Sequence, residues 1–171
     1  MNRGCSLPEL LVGAALLTLL AGVSFGSAVE ALARQRLEGA TRRLGQSLEE
    51  ARSMAEQWGE PCAIHLDSGG WAAPTSGLRS CLSNPQSQLD ARIDADLQLS
   101  HNLPAQLRIS ANGLPIDGGT VVLRSSGTSQ QRCLVLALPL GVVRYGHYSG
   151  SSSSGPVNSA ACLPARASGG S

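Results

Sequence analysis

Residues 3–22 read RGCSLPELLVGAALLTLLAG, and how they are read decides the fold. One Arg, a Gly-Cys junction and a lone acid, Glu9, precede residues 10–29, which carry no charge. At ~1.5 Å rise per residue, a helix of that length crosses a hydrocarbon core of ~30 Å. A secretory signal has a shorter apolar region of about 7 to 15 residues and a small-residue cleavage site after it. Only Gly26, Ser27 and Ala28 imitate such a site. A lipoprotein leader places its Cys after the apolar run, whereas Cys5 comes before it. A retained membrane helix is left. On residue chemistry alone Glu9 has two readings. A carboxylate at the edge of an apolar helix is costly unless paired or wet, which marks it as functional. It is also a first-turn acid favoured by the helix dipole, with Pro8 tolerated in the same turn.

The helical pattern continues past the apolar run. Leu37, Ala40, Leu44, Leu48, Ala51 and Ala55 recur at three- and four-residue spacing, and Arg34, Arg36, Glu38, Arg42, Arg43, Glu49, Glu50 and Arg52 occupy the remaining surface. One helix of about 50 residues would reach ~75 Å; the alternative is a membrane helix joined to a separate surface helix. The helix should end near Trp58 and Gly59, with Pro61 beyond. Strand signals follow at 62–66, 70–73, 106–110, 120–125, 132–138 and 142–148, separated by Gly, Pro, Asn and Ser. Residues 74–105 read as a long polar loop with a short strand around 97–99. Short strands without intervening helices predict an antiparallel sheet, and a long helix packed on it is an α+β fold.

A chain of 171 residues has room for one ordinary domain and an N-terminal appendage. The net charge of +1 excludes a wholly basic nucleic-acid protein, although all 13 cationic side chains are Arg. From residue 97 onward Arg108, Arg124, Arg132, Arg144 and Arg166 face a single acid, Asp117. These charges are either solvated surface or a mild basic patch, with Tyr145 and Tyr148 nearby. His65, His101 and His147 have neither metal-ligand nor triad spacing. There is no G-x-S-x-G elbow, Walker loop or carboxylate pair in suitable context, so no enzyme, cofactor or metal is expected. The Ser- and Gly-rich stretch from residue 149 reads as a flexible tail, with Cys162 able to pin its middle.

The N-terminal stretch resembles the class III signal of type IV pilins and type II secretion pseudopilins. Gly4 matches the residue before the cut, Cys5 the first mature residue and Glu9 the fifth mature position, ahead of the hydrophobic helix. Cys5 replaces the usual Phe or Met, and Pro8 stands where Ile is common. The resemblance implies a prepilin peptidase that cuts on the cytoplasmic side and methylates the new amine. It also implies that Glu9 pairs with the N-terminal ammonium of a neighbouring subunit, as a buried carboxylate requires. A narrower resemblance, in EEARSMAEQWGEPCAIHLDSGGW and ISANGLPIDGGTVVLRSSGTSQQRCLVLALPLGVVRYG, is to the GspH/FimT group of minor pseudopilins and minor pilins. The implied organisation is a leader at 1–4, a transmembrane and filament-core helix at 5–29, its amphipathic half at 30–58, a β-rich head at 59–148 and the tail at 149–171. The implied place is a bacterial inner membrane, crossed once with the head in the periplasm, and then a pilus or pseudopilus. Its partners would be the peptidase, other pilin subunits and the inner-membrane assembly platform, and its role priming or tip occupancy. The alternative is DNA capture for uptake. FimT-like pilins use a C-terminal Gly-Arg-x-Arg stretch for this, and Gly141, Val142, Val143 and Arg144 keep only the second Arg.

An exported head would favour two disulfides among Cys62, Cys81, Cys133 and Cys162, in one of three connectivities. Pairing Cys62 with Cys81 and Cys133 with Cys162 is preferred, since each bond staples a loop or tail to a strand. A structural zinc site is the rival, but no C-x₂₋₄-C pair occurs.

Overall fold

The computed structural model describes residues 7–75, 77–83, 89, 94–150 and 156–164, with residues 9, 17 and 19–27 described in backbone only. A single helix, α1 (Leu7–Trp58), supplies one layer. Its apolar residues Leu37, Ala40, Leu44, Leu48, Ala51 and Ala55 are all buried, joined by Ala33 at the near end. Three- and four-residue spacing puts them on one face, and the alanines let the sheets approach closely. The Thr41 hydroxyl, also on this seam, donates to the Leu37 carbonyl at 2.8 Å. At the far end Gly59 adopts φ +63°, and its amide donates to the Ala55 carbonyl at 3.0 Å. That left-handed cap, with Pro61 following, is what ends the helix. Residues 7–58 are thus one continuous helix rather than two.

Among the described residues the head holds nine strands: β1 (Cys62–Asp67), β2 (Gly70–Ala72), β3 (Arg79–Ser80), β4 (Leu97–His101), β5 (Leu107–Ile109), β6 (Gly119–Ser125), β7 (Gln131–Ala137), β8 (Val142–Tyr148) and β9 (Cys162–Pro164). β4, β6, β7, β8 and β9 pair in that order into a five-stranded antiparallel sheet. A smaller sheet is built round β1, which pairs antiparallel with β2 and β5 and parallel with β3. The architecture is the expected α+β arrangement, a long helix on antiparallel sheet, with the sheet divided in two.

Side-chain alternation gives the larger sheet two buried faces. Val121, Leu123, Leu134 and Leu136 pack on α1 together with Ile64, Leu107, Ile109 and Trp71. Val122, Cys133, Val135 and Tyr148 face the other way and are covered by Val157 and Cys162. The Trp71 indole N–H donates to the Leu44 carbonyl at 2.8 Å, which ties β2 to the middle of the helix.

Two expectations are corrected. Residues 156–164, assigned by composition to a flexible tail, are built into the fold. A short 3-10 turn (Ser159–Ala161) leads into β9, the Ser149 amide donates to the Ala161 carbonyl at 2.9 Å, and the Asn158 amide donates to the Tyr148 hydroxyl at 3.1 Å. Val157 and Cys162 supply the apolar contacts that the neighbouring Ser and Gly cannot. Residues 74–105 hold β3 besides the strand anticipated around 97–99, which runs from Leu97 to His101. β3 has only two residues and no alternation to reveal it, and it is held against β1 by the Cys62–Cys81 disulfide. The second disulfide joins Cys133 of β7 to Cys162 of β9. Both bonds follow the preferred pairing, with Cα separations of 5.2 and 5.9 Å.

Candidate functional site

The first candidate is the part of α1 that the head leaves uncovered. Leu7, Leu10, Leu11, Val12 and Leu16 are exposed, and among the described side chains of α1 the first buried one is Ala33. Among the described residues, no helix is long and apolar enough to cross a membrane. Half of the expected span at 10–29 falls on residues described in backbone only. Gly4, Cys5, the Glu9 side chain and Arg166 lie outside the described residues.

The second candidate is the seam between α1 and the β7–β8 hairpin, where a groove of about 360 Å³ is lined by Glu38, Thr41, Arg42, Gln46, Arg132, Tyr145 and Gly146. Glu38 is its pivot. One carboxylate oxygen accepts from Arg42 at 2.7 Å and the other from Arg132 at 3.1 Å. The Arg132 side chain is mostly buried, and its second amino group lies 3.0 Å from His147 Nε2. Burial first, and the Arg132 charge second, hold the His147 imidazole below the usual histidine range, against an opposing pull from Glu38. Tyr145 lies over Gly45: a Cβ there would stand 2.7 Å from the phenol Cζ, so glycine is what lets the ring close on the helix. Burial, reinforced by Glu49, raises the Tyr145 phenol above its ordinary value.

These placements separate the arginines expected to form a phosphate patch. Arg132 faces the helix and fastens β7 to it. Arg124 and Arg144 face the opposite side of the sheet. The Arg124 side chain donates to Gln98 at 2.8 Å. Arg144 is exposed, in a row with Thr120 and Val135 across three strands, beside a cavity of about 340 Å³ that Asn102, Leu138 and Ser159 also line. The register sets Arg124 four residues along and two strands over from Arg144, about 16 Å away. Arg108 is held in a two-pronged pair with Asp117, at 2.8 and 2.9 Å, which pulls the Asp117 carboxyl below its ordinary value. Tyr145 lies on the helix side, and Tyr148 is buried under the tail. The three described candidates therefore do not share a surface.

Arg52 is a functional side chain that sequence reasoning passed over as helix surface. Its Nε donates to the Gly113 carbonyl at 2.9 Å and its Nη1 to the Gly141 carbonyl at 3.1 Å, which clamps two distant turns to the far end of α1. Both turns rest on glycines at positive φ, and those glycines were the signal available in the sequence. Arg43 in the same way reaches Asp94 at 2.6 Å. Arg132 at Glu38, Arg52 at Gly113 and Gly141, and Arg43 at Asp94 thus fasten the head to the helix.

The family model described as Type II transport protein GspH matches residues 40–139, more than half of the chain, from the buried half of α1 to the β7–β8 turn. No curated protein and no solved structure gives a match. By the family match, the chain belongs to the GspH family of type II transport proteins.

Proposed function

We propose that this pseudopilin-type subunit is cut after Gly4, held in the inner membrane by residues 10–29 with its head in the periplasm, and then drawn into a filament. One observation carries the reading. α1 is a single rod, in which the buried side chains among those described begin at Ala33 while Leu7, Leu10, Leu11, Val12 and Leu16 are uncovered. Apolar side chains at that density need lipid or protein around them. A rod that exchanges lipid for neighbouring rods serves first as anchor and then as filament core. Two disulfides in the head support export into an oxidising compartment. In this scheme the Cys5 amine, freed by cleavage and methylated, pairs with Glu9 of the next subunit. The pairing lowers the cost of moving both charges into an apolar core.

The mass of the mature N-terminus tests the processing step; retention of residues 1–4 in a host with active peptidase refutes it. Glu9→Ala tests the pairing. Cleavage and membrane insertion are expected to persist while recovery in sheared filaments drops at least about tenfold, the scale of one charge pair near 1.4 kcal/mol. Normal incorporation of this variant would refute the role of Glu9.

A further inference from the structure

The face of the larger sheet turned away from α1 carries the cavity of about 340 Å³ beside Arg144, which is at the small end of ligand-binding pockets. Thr120, Val135 and Arg144 lie side by side across β6, β7 and β8, and the exposed Leu138 and Ser159 also line the cavity. Asn102 fixes the surroundings. Its side-chain carbonyl accepts from the Thr120 amide at 2.6 Å, and its side-chain amide donates to the Val157 carbonyl at 3.0 Å, so β6 and the tail are held together here. Two lining groups lack partners. Thr120 is 0% exposed, yet its hydroxyl makes no hydrogen bond among the described residues, a costly state for a buried polar group. Arg144 makes no ion pair or hydrogen bond among the described residues. Asp117, next in the chain to the lining Gly118, keeps both carboxylate oxygens on Arg108.

We propose that this cavity binds an acidic peptide segment of a partner protein, with one side-chain carboxylate on Arg144 and a main-chain group on the Thr120 hydroxyl. A guanidinium without an acid of its own suits a carboxylate, which it grips through two oxygens. The hydroxyl can donate to a peptide carbonyl or accept from a peptide amide. Thr120 and Arg144 stand two strands apart, with about 10 Å between their backbones. The long Arg side chain shortens that gap, and an acidic residue reaching from its own main chain spans the rest. A free carboxylate as small as acetate would leave the hydroxyl unpaired. Leu138, 50% exposed beside the cavity, offers apolar contact to residues flanking the acid. A nucleic acid fits less well, because its affinity grows with the number of phosphates neutralised. Arg124 lies about 16 Å away and is bound to Gln98, Arg108 is held by Asp117, and Arg132 faces α1. One cation serves one carboxylate but not a phosphate backbone. The proposal goes beyond the filament reading and does not rest on it, since no residue of α1 lines the cavity.

The test titrates the full chain, purified in detergent, with a fluorescently labelled and end-capped peptide in which one Glu stands between two Leu. Saturable binding is expected, at least about threefold weaker when Gln replaces the Glu of the peptide, the scale of a partly exposed ion pair. In Arg144→Gln that preference for Glu over Gln should vanish. Thr120→Val keeps the shape and removes the hydroxyl. It should weaken both peptides by at least about threefold without lowering the thermal midpoint, because the group removed has no partner in the folded chain. No saturable binding, or a Glu preference that survives Arg144→Gln, overturns the proposal. Unchanged affinity in Thr120→Val also overturns it, by reducing the site to a surface ion pair. Displacement of the peptide by oligothymidylate, with binding that falls steeply with salt, overturns it in favour of a nucleic acid. Should Thr120→Val fail to accumulate, Ser159→Trp at an exposed lining position decides. Lost binding supports the proposal, and undiminished binding overturns it.

Discussion

Removing the Cys133–Cys162 disulfide, by Cys133→Ala with Cys162→Ala, should both loosen the tail and destabilise the whole head. The bond closes a loop with a sequence separation of 29, worth about 3.6 kcal/mol in the chain-entropy account. The tail has little else to hold it. Apart from three residue pairs between β8 and β9, the Asn102 side-chain amide donates to the Val157 carbonyl at 3.0 Å, and the Asn158 and Ser149 amides make the bonds given above. At about 1 kcal/mol net for each hydrogen bond and about 2 for Val157, these contacts contribute roughly 8 kcal/mol. Ordering residues 156–164 costs about 1 kcal/mol or more for each of them, or roughly 9 in all. Without the covalent tie the segment should detach, uncovering Tyr148 and Val122.

Limited proteolysis and thermal unfolding of the purified protein read the two effects separately. At about 3 to 4 °C per kcal/mol for a domain of this size, the midpoint should fall by roughly 10–15 °C. Cleavage after residue 148 should appear under native conditions while the helix-bearing core stays resistant, because that core is built from other residues. A midpoint within about 3 °C of the parent, with a protected tail, would refute the ledger and show that noncovalent contacts suffice. The prediction also bears on the family match, which ends at residue 139. β8 and β9 lie beyond that limit, and the disulfide ties this outlying part to the central strand β7.

Three further substitutions probe the seam, the β7–β8 turn and the helix. The depressed His147 value means that between the folded and the ordinary pKa of about 6.5 the unfolded chain binds more protons. This contribution to stability is fully present above about pH 6.5 and is lost as pH falls through the folded value. His147→Gln should therefore flatten the decline in denaturation midpoint between pH 7 and pH 5, and identical profiles would refute the assignment. Gly141→Ala forces a left-handed φ of +65° on a residue whose Cβ meets the Pro115 ring at 2.3 Å, at a cost of roughly 1–3 kcal/mol by chemical denaturation. Gly39→Ala, whose Cβ meets only Arg43 at 3.5 Å, should stabilise by up to about 1 kcal/mol. A reversed order would show that the β7–β8 turn is not held as described.

The helix was legible because its evidence is local. A buried stripe at three- and four-residue spacing, ended by Gly59, needs no knowledge of the partner surface. The longer strands were legible for the same reason, since β6, β7 and β8 combine β-branched and apolar residues between clear turns. β3 and β9 were not, because both depend on disulfides that act across 19 and 29 positions, and their Ser-, Gly- and Pro-rich surroundings carry no strand signal. The arginines show the limit most clearly. Arg132 and Arg144 look alike in sequence, but an even separation along paired strands differs from an odd one once the register is set. One meets Glu38 on the helix, and the other faces away from it.

That distribution of contacts bears on how a subunit withstands being pulled. Force applied to the N-terminal half of α1 meets the seam before it reaches the covalent link to β1 at residues 59–61. The seam is fastened by Arg132 at Glu38, Asp94 at Arg43, Trp71 at Leu44, and the two turns at Arg52. These ties occur at intervals over about four turns of helix and attach to different strands. A single tie at one end would let the helix peel away from the sheet one contact at a time. Ties spread along the buried stripe must slip together, so the helix and head move as one body. Under the proposed function, extraction from a bilayer would then drag the head along, and the polar contacts of the seam would bear load in addition to their modest individual contributions to stability.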